Sequence, residues 1–138
     1  MQKAGQAYRR HGHKPITPAM VREEKLKQPS EAEILFREHM REMDVFLTKE
    51  YRFHLERKWR FDFAAILNDG KISRLAFEIE GGTWIGGRHT SGKGFQNDCD
   101  KYNSATAMGW TVFRFTTADV MSGKAKEYVR TYLNRVQG

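Results

Sequence analysis

Three carboxylates stand out by type and spacing. Glu78 and Glu80 are separated by one residue in the run Leu75-Ala76-Phe77-Glu78-Ile79-Glu80, and Asp62 sits between Phe61 and Phe63 in an earlier run of the same kind. Successive side chains of a strand point to opposite faces, so Glu78 and Glu80 share one face while Phe77 and Ile79 turn to the other. Carboxylates gathered at such spacing repel unless something neutralises them. A hard divalent cation with oxygen ligands does so, and Mg²⁺ characteristically takes one or two carboxylates together with water and a phosphate oxygen. The plainer alternative is an acidic, solvated sheet face paired with Arg60 and Arg74.

Whether Asp62 reaches Glu78 depends on the hairpin between the two runs. Asn68-Asp69-Gly70 marks the turn, and a two-residue turn would set Asp62 opposite Phe77, mixing polar and apolar side chains on both faces. Pairs whose numbers sum to 140 separate the faces instead: Asp62 with Glu78, Ala64 with Ala76, Phe61 with Ile79, Phe63 with Phe77 and Ala65 with Leu75. This register predicts a three-residue loop with Gly70 at positive φ. It also predicts all three carboxylates crowded on one surface.

Other elements must hold this hairpin in place. Ser30 and Glu33 have the spacing of a capping box, and Ala32, Leu35, Phe36, Met40, Met43, Phe46 and Leu47 follow with helical period. A short strand is expected near Tyr51–Leu55, then Trp59, Phe61, Phe63 and Ala65 alternate as a second. A Gly-rich stretch from Gly81 to Gly94 precedes a helix over Gln96–Met108 that Gly109 caps. Trp110–Phe115 reads as a strand. Ala125, Tyr128, Val129, Tyr132, Leu133 and Val136 form one face of a last helix. The order is helix, three strands, helix, strand, helix, an α/β fold with helices packed on a mixed sheet.

These residues together resemble the PD-(D/E)XK, restriction-endonuclease-like nuclease superfamily. The resemblance lies in Phe61-Asp62-Phe63-Ala64, in Phe77-Glu78-Ile79-Glu80-Gly81-Gly82 and in the αβββαβ order. Asp98-x-x-Lys101 with Gly109-Trp110-Thr111-Val112-Phe113-Arg114 resembles the branch of very-short-patch repair endonucleases and related small bacterial and phage nucleases. It spans roughly Ser30 to Val120. The fold implied is an αβββαβ core with a mixed four-stranded sheet flanked by helices and a C-terminal helix.

The function implied is Mg²⁺-dependent DNA endonuclease activity, with Mn²⁺ as a substitute, leaving a 5′-phosphate and a 3′-hydroxyl. By the resemblance, Asp62, Glu78 and the Ile79 carbonyl hold the metal. The superfamily's lysine two residues after the acidic ligand is here Glu80. Some relatives carry an acidic residue at that place, which keeps Glu80 among the catalytic candidates, and Lys101 on the following helix is the first candidate to supply the missing cation. His89 is a candidate general acid or phosphate ligand, and Glu33 matches an acidic residue that related nucleases carry on their first helix. Trp84 could stack on or wedge between bases, with Arg88 and Lys93 on phosphates. A loop histidine, a loop tryptophan and a capping-box glutamate each also have ordinary structural explanations.

Composition bounds the rest. A chain of 138 residues with 39% hydrophobic and 12% aromatic residues suits one packed domain. A single cysteine, Cys99, excludes an internal disulfide and a cysteine-rich zinc site. No apolar run suggests a membrane span or secretory signal, which points to the cytoplasm of a bacterial cell or phage-infected host. The net charge is +7, and residues 1–29 hold +5 of it through Lys3, Arg9, Arg10, Lys14, Arg22, Lys25 and Lys27 against Glu23 and Glu24. That segment reads as a basic arm before a domain over residues 30–138, with Arg9, Arg10 and Lys14 as DNA contacts, because a phosphate backbone rewards Lys and Arg by counterion release. The expected partner is DNA, and a homodimer is one arrangement that would cut two strands. Competing readings are a DNA-binding relative without catalysis, an RNA-directed nuclease, and a His-metal nuclease on His89, Asn97 and Asn103. The last leaves the acidic residues without a role.

Overall fold

A computed structural model describes residues 28–81 and 92–137. The chain forms α1 (Glu31–Glu42), β1 (Thr48–Arg52), β2 (Arg60–Asn68), β3 (Ile72–Glu80), α2 (Gly92–Ala107), β4 (Trp110–Thr116), α3 (Thr117–Met121) and α4 (Lys124–Gln137). The four strands make one sheet in the order β1-β2-β3-β4. The first two pairings are antiparallel and β3 with β4 is parallel, so the sheet is mixed and α2 lies in the crossover.

The β2–β3 hairpin has the register that separation of faces demands. Its ladder runs from Asn68↔Ile72 through Ala65↔Leu75 and Ala64↔Ala76 to Phe63↔Phe77. Asp69, Gly70 and Lys71 form the loop, with Gly70 at φ 76, a conformation that costs an L side chain about 1–2 kcal/mol. Gly109 likewise takes φ 89 after α2 and lets the chain turn into β4.

Each face of the sheet buries its own apolar cluster. On one, α1 sets Ala32, Phe36 and Met40 and α4 sets Ala125, Val129 and Leu133 against Phe63, Ala65, Leu75, Phe77 and Phe115. Phe36 lies at the centre, its ring centroid 5.8 Å from Phe63, 5.2 Å from Phe77 and 6.2 Å from Phe115. On the other, Ala105 of α2 packs with Phe53, Phe61, Ala64, Ala76 and Trp110. The small side chains of Ala64, Ala76 and Ala105 share this cluster with three aromatic residues of the sheet and the β1–β2 connection.

Several sequence expectations are corrected. The first helix ends at Glu42, where Asp44 takes φ 58, so Val45 is buried and Phe46, expected in the helical stripe, is 82% exposed. The short strand lies at Thr48–Arg52 and not near Tyr51–Leu55, and α2 begins at Gly92, inside the supposed Gly-rich connection. A brief helix, α3, absent from the expected order, follows β4 through a capping box of Thr116 and Asp119. In α4, Tyr128 and Val136 are exposed although they share the apolar spacing. Phe61, expected to face the same way as Phe63, joins the cluster under α2.

That last departure has a local cause. Glu50 takes φ 53 within β1, and the β1–β2 ladder passes from Lys49↔Phe63 to Tyr51↔Phe61 without pairing Glu50 to Asp62. The β2–β3 ladder stops at Phe63↔Phe77, so the expected ladder pairs Asp62 with Glu78 and Phe61 with Ile79 are not formed. Both neighbouring strands therefore leave Asp62 out of regular pairing, and the alternation of faces breaks at that residue.

Candidate functional site

The break leaves backbone donors that must find other partners. The Asp62 N–H donates to Glu78 Oε2 at 3.1 Å, and the Ile79 N–H donates to Asp62 Oδ2 at 2.9 Å. Each carboxylate thus replaces a carbonyl the ladder would have supplied, and the reciprocal pair holds two acidic side chains beside each other at the strand ends. The Asp62 carboxyl is pushed up to about 6, first by burial and then by the charge and hydrogen bonding of Glu78, against the lowering effect of the Ile79 N–H. Glu50 adds to the same upward push.

Glu78 is the one charged residue buried among the described residues, at 6% exposure. Two residues of α2 compensate it. Lys101 Nζ lies 2.5 Å from Glu78 Oε1, and the Tyr102 hydroxyl donates to the same oxygen at 3.1 Å. Burial, followed by the charge of Glu78, raises the Tyr102 phenol well above its ordinary value, so it stays a neutral donor. Lys101 Nζ also lies 5.8 Å from the Phe61 ring centroid, on the side to which the strand break turned that ring.

Glu80 has a different environment. Arg114 grips its Oε1 through both Nε, at 3.2 Å, and a terminal guanidinium nitrogen, and stacks 4.5 Å over the Tyr102 ring. Partial burial would lower the Arg114 guanidinium, but Glu80, Tyr102 and Asp98 together outweigh this and leave it above its usual value. The expectation of three crowded carboxylates is therefore corrected. No three His, Cys, Asp or Glu side chains gather into a metal-holding group among the described residues. Parallel pairing sets Arg114 beside Glu78 and Thr116 beside Glu80, so an arginine from β4 reaches the third carboxylate.

Asp62, Glu78, Ile79 and Lys101 are brought together. Glu33 instead forms an ion pair with Lys49 at 3.0 Å, and Lys93 is exposed in the first turn of α2. Trp84, Arg88 and His89 lie outside the described residues, as do Arg9, Arg10 and Lys14. Among the described residues neither of the arginines that could have neutralised an ordinary acidic face forms an ion pair, and Arg74 donates to the Met108 carbonyl at 3.2 Å. Tyr102 and Arg114 were missed by sequence reasoning. The signal for Tyr102 was its place beside Lys101 on the helix, and that for Arg114 was the parallel register of β4, which no local pattern encodes.

The donor set fits a hard divalent ion. Two adjoining carboxylates offer oxygen atoms with lone pairs left over after their hydrogen bonds, the donor type such an ion takes. The Asp62 carboxyl is raised mainly because burial disfavours its charged form, with the neighbouring Glu78 adding to the effect.

No family model matches the chain, and neither a curated protein nor a solved structure matches it. None of its described helices is long and apolar enough to cross a membrane. What is defined is an α/β protein with a four-stranded mixed sheet, helices against it and a helix at its C-terminal end.

Proposed function

We propose that this protein is a metal-dependent DNA endonuclease of the restriction-endonuclease-like type, hydrolysing phosphodiester bonds to 5′-phosphate and 3′-hydroxyl ends. The observation that carries the reading is the reciprocal Asp62–Glu78 arrangement at the ends of neighbouring strands, with Lys101 2.5 Å from Glu78. Asp62, Glu78 and the Ile79 carbonyl would hold Mg²⁺, or Mn²⁺ in its place. Such an ion, when bound, supplies charge neutralisation at the scissile phosphate and a lower pKa for an attacking water.

The chain's own residues do the rest. The Asp62 N–H holds Glu78 and the Ile79 N–H holds Asp62, so the carboxylate oxygens are oriented before substrate arrives. Lys101 is the cation that the missing motif lysine would have been, delivered from a helix and not from the strand. In this reading it orients Glu78 and presents positive charge to phosphate. Arg114 keeps Glu80 away from the other two carboxylates, which lowers the number of negative groups facing a polyanion.

The test is cleavage of supercoiled plasmid, branched DNA and matched RNA by purified protein with Mg²⁺, Mn²⁺ or EDTA. Asp62→Ala and Glu78→Ala are expected to lose about a thousandfold in rate, roughly 4 kcal/mol of barrier, while still binding DNA. Either variant cutting as fast as the parent sinks the metal assignment. A second reading, DNA binding without cleavage, is favoured by one feature: Lys101 and Tyr102 both already engage Glu78 Oε1. It expects binding with no metal-stimulated cutting by the parent.

A further inference from the structure

The connection between β1 and β2 carries a second concentration of positive charge. Arg52, Arg57, Lys58 and Arg60 stand against Glu56 alone in residues 52–60, and all five are exposed. None of the four cations forms an ion pair among the described residues, and they are concentrated within one short stretch of chain. Cations gathered in a short exposed loop repel one another and create a local positive potential that favours a polyanionic partner.

The loop is also held in shape. His54 Nδ1 accepts the N–H groups of Glu56 at 3.1 Å and Arg57 at 2.9 Å, and Arg52 Nε donates to the Arg57 carbonyl at 3.3 Å. The Arg57 guanidinium lies 4.0 Å over the Trp59 ring, and both side chains donate to Asn97 Oδ1 at 3.3 Å. Asn97 ties the loop to the site: it lies four residues, one helical turn, before Lys101. Asp62 is two residues beyond Arg60 on β2. The loop and the carboxylate pair thus share one end of the sheet and one face of α2.

We propose that this loop is a phosphate-binding ridge, with Arg57, Lys58 and Arg60 contacting the DNA backbone next to the bond at Asp62 and Glu78. Trp59 and Asn97 set its shape, and side chains on a preformed loop lose less freedom on binding than those on a flexible one. The inference rests on the DNA-directed reading above and not on catalysis. An arm that binds phosphate nonspecifically would leave the position of the scissile bond open, whereas a ridge tied to α2 fixes it relative to Lys101.

The test is binding of a fluorescent duplex oligonucleotide by the full chain in EDTA, followed across salt concentrations. Arg57→Gln/Lys58→Gln/Arg60→Gln should weaken binding at least about tenfold at moderate salt and reduce the slope of log affinity against log salt by about 2–3, near one for each phosphate no longer neutralised. Arg37→Gln/Arg41→Gln/Arg135→Gln removes the same charge from α1 and α4 and should change the slope far less. Lys58→Gln/Arg60→Gln spares the Arg57 side-chain bonds and should lower the slope by about 2 if the triple variant is unfolded by circular dichroism. Equal effects from the loop and control variants, or none from either loop variant, overturn the ridge. Cleavage with Mg²⁺ is scored separately. A parent that binds through the loop but never cuts sinks the nuclease reading and leaves the ridge standing; a parent that cuts while loop variants bind normally sinks the ridge alone.

Discussion

Lys101 and Glu78 come from a helix and a strand that share no sequence pattern, yet their charged atoms meet at 2.5 Å with 15% and 8% side-chain exposure. No other ion pair among the described residues is as deeply placed. A pair taken this far out of water is strong only while both partners are present, because each alone is a desolvated charge. The contact therefore ties the position of α2 to the end of β3.

Removing one partner should cost more than removing both charges. Lys101→Met is expected to destabilise by about 2–3 kcal/mol, somewhat under the usual range for a broken buried pair since Tyr102 still donates to Glu78. Lys101→Met/Glu78→Gln should recover most of that loss. Urea denaturation of the two single variants and the double one measures the coupling, and strictly additive losses would refute it.

The Asp62 carboxyl makes stability depend on pH. Its pKa rises from 3.8 to about 6 on folding, so the folded chain binds this proton more tightly than the unfolded one. The resulting stabilisation is complete below the unfolded value and is lost as pH rises through about 6. Asp62→Asn keeps an acceptor for the Ile79 N–H and removes the charge. In EDTA it should match the parent near pH 4 and exceed it by about 1–2 kcal/mol at pH 7.5, a figure reduced for partial solvent access. Mg²⁺ should raise the parent's melting temperature at pH 7.5 and leave the variant's unchanged. A variant less stable than the parent at pH 7.5 would reverse the sign assigned to this group.

Glu80 separates a structural acid from a metal-holding one. Its pair with Arg114 is partly exposed, at 26% and 41%, where such contacts contribute little. Glu80→Gln should change stability by less than about 1 kcal/mol and cleavage by less than about tenfold. A loss comparable to that of Asp62→Ala, read in the same plasmid assay, would return Glu80 to the metal group.

The core prediction concerns Phe36. Its ring has no exposure and touches aromatic rings from β2, β3 and β4. Phe36→Ala should cost about 3–5 kcal/mol, the range for emptying a large aromatic site. Calorimetry showing less than about 1 kcal/mol would mean that α1 does not anchor that face.

The hairpin was legible because period-two alternation admits few registers. Face separation requires paired numbers with an even sum, and the sum of 140 found in the ladder is the one that closes with a three-residue loop, whose backbone freedom Gly70 supplies. Phe61 departs from the pattern for the same reason, since the rule assumes unbroken pairing and Glu50 at positive φ breaks it opposite Asp62. Phe46, Tyr128 and Val136 carry apolar spacing without burial, because spacing identifies a stripe but not which of its residues the partner layer covers.

By itself the sequence determined the local terms: two antiparallel strands in one register, their acidic residues adjacent, amphipathic helices around them and an excess of positive charge. These follow from interactions between near neighbours, where residue type and spacing suffice. Tertiary structure decided which cation meets which acid. Lys101 and Tyr102 reach Glu78, Arg114 withdraws Glu80, and Asn97 joins the β1–β2 loop to α2. Those pairings depend on where α2 packs against the sheet and on the parallel register of β4, neither of which is encoded by a pattern along the chain.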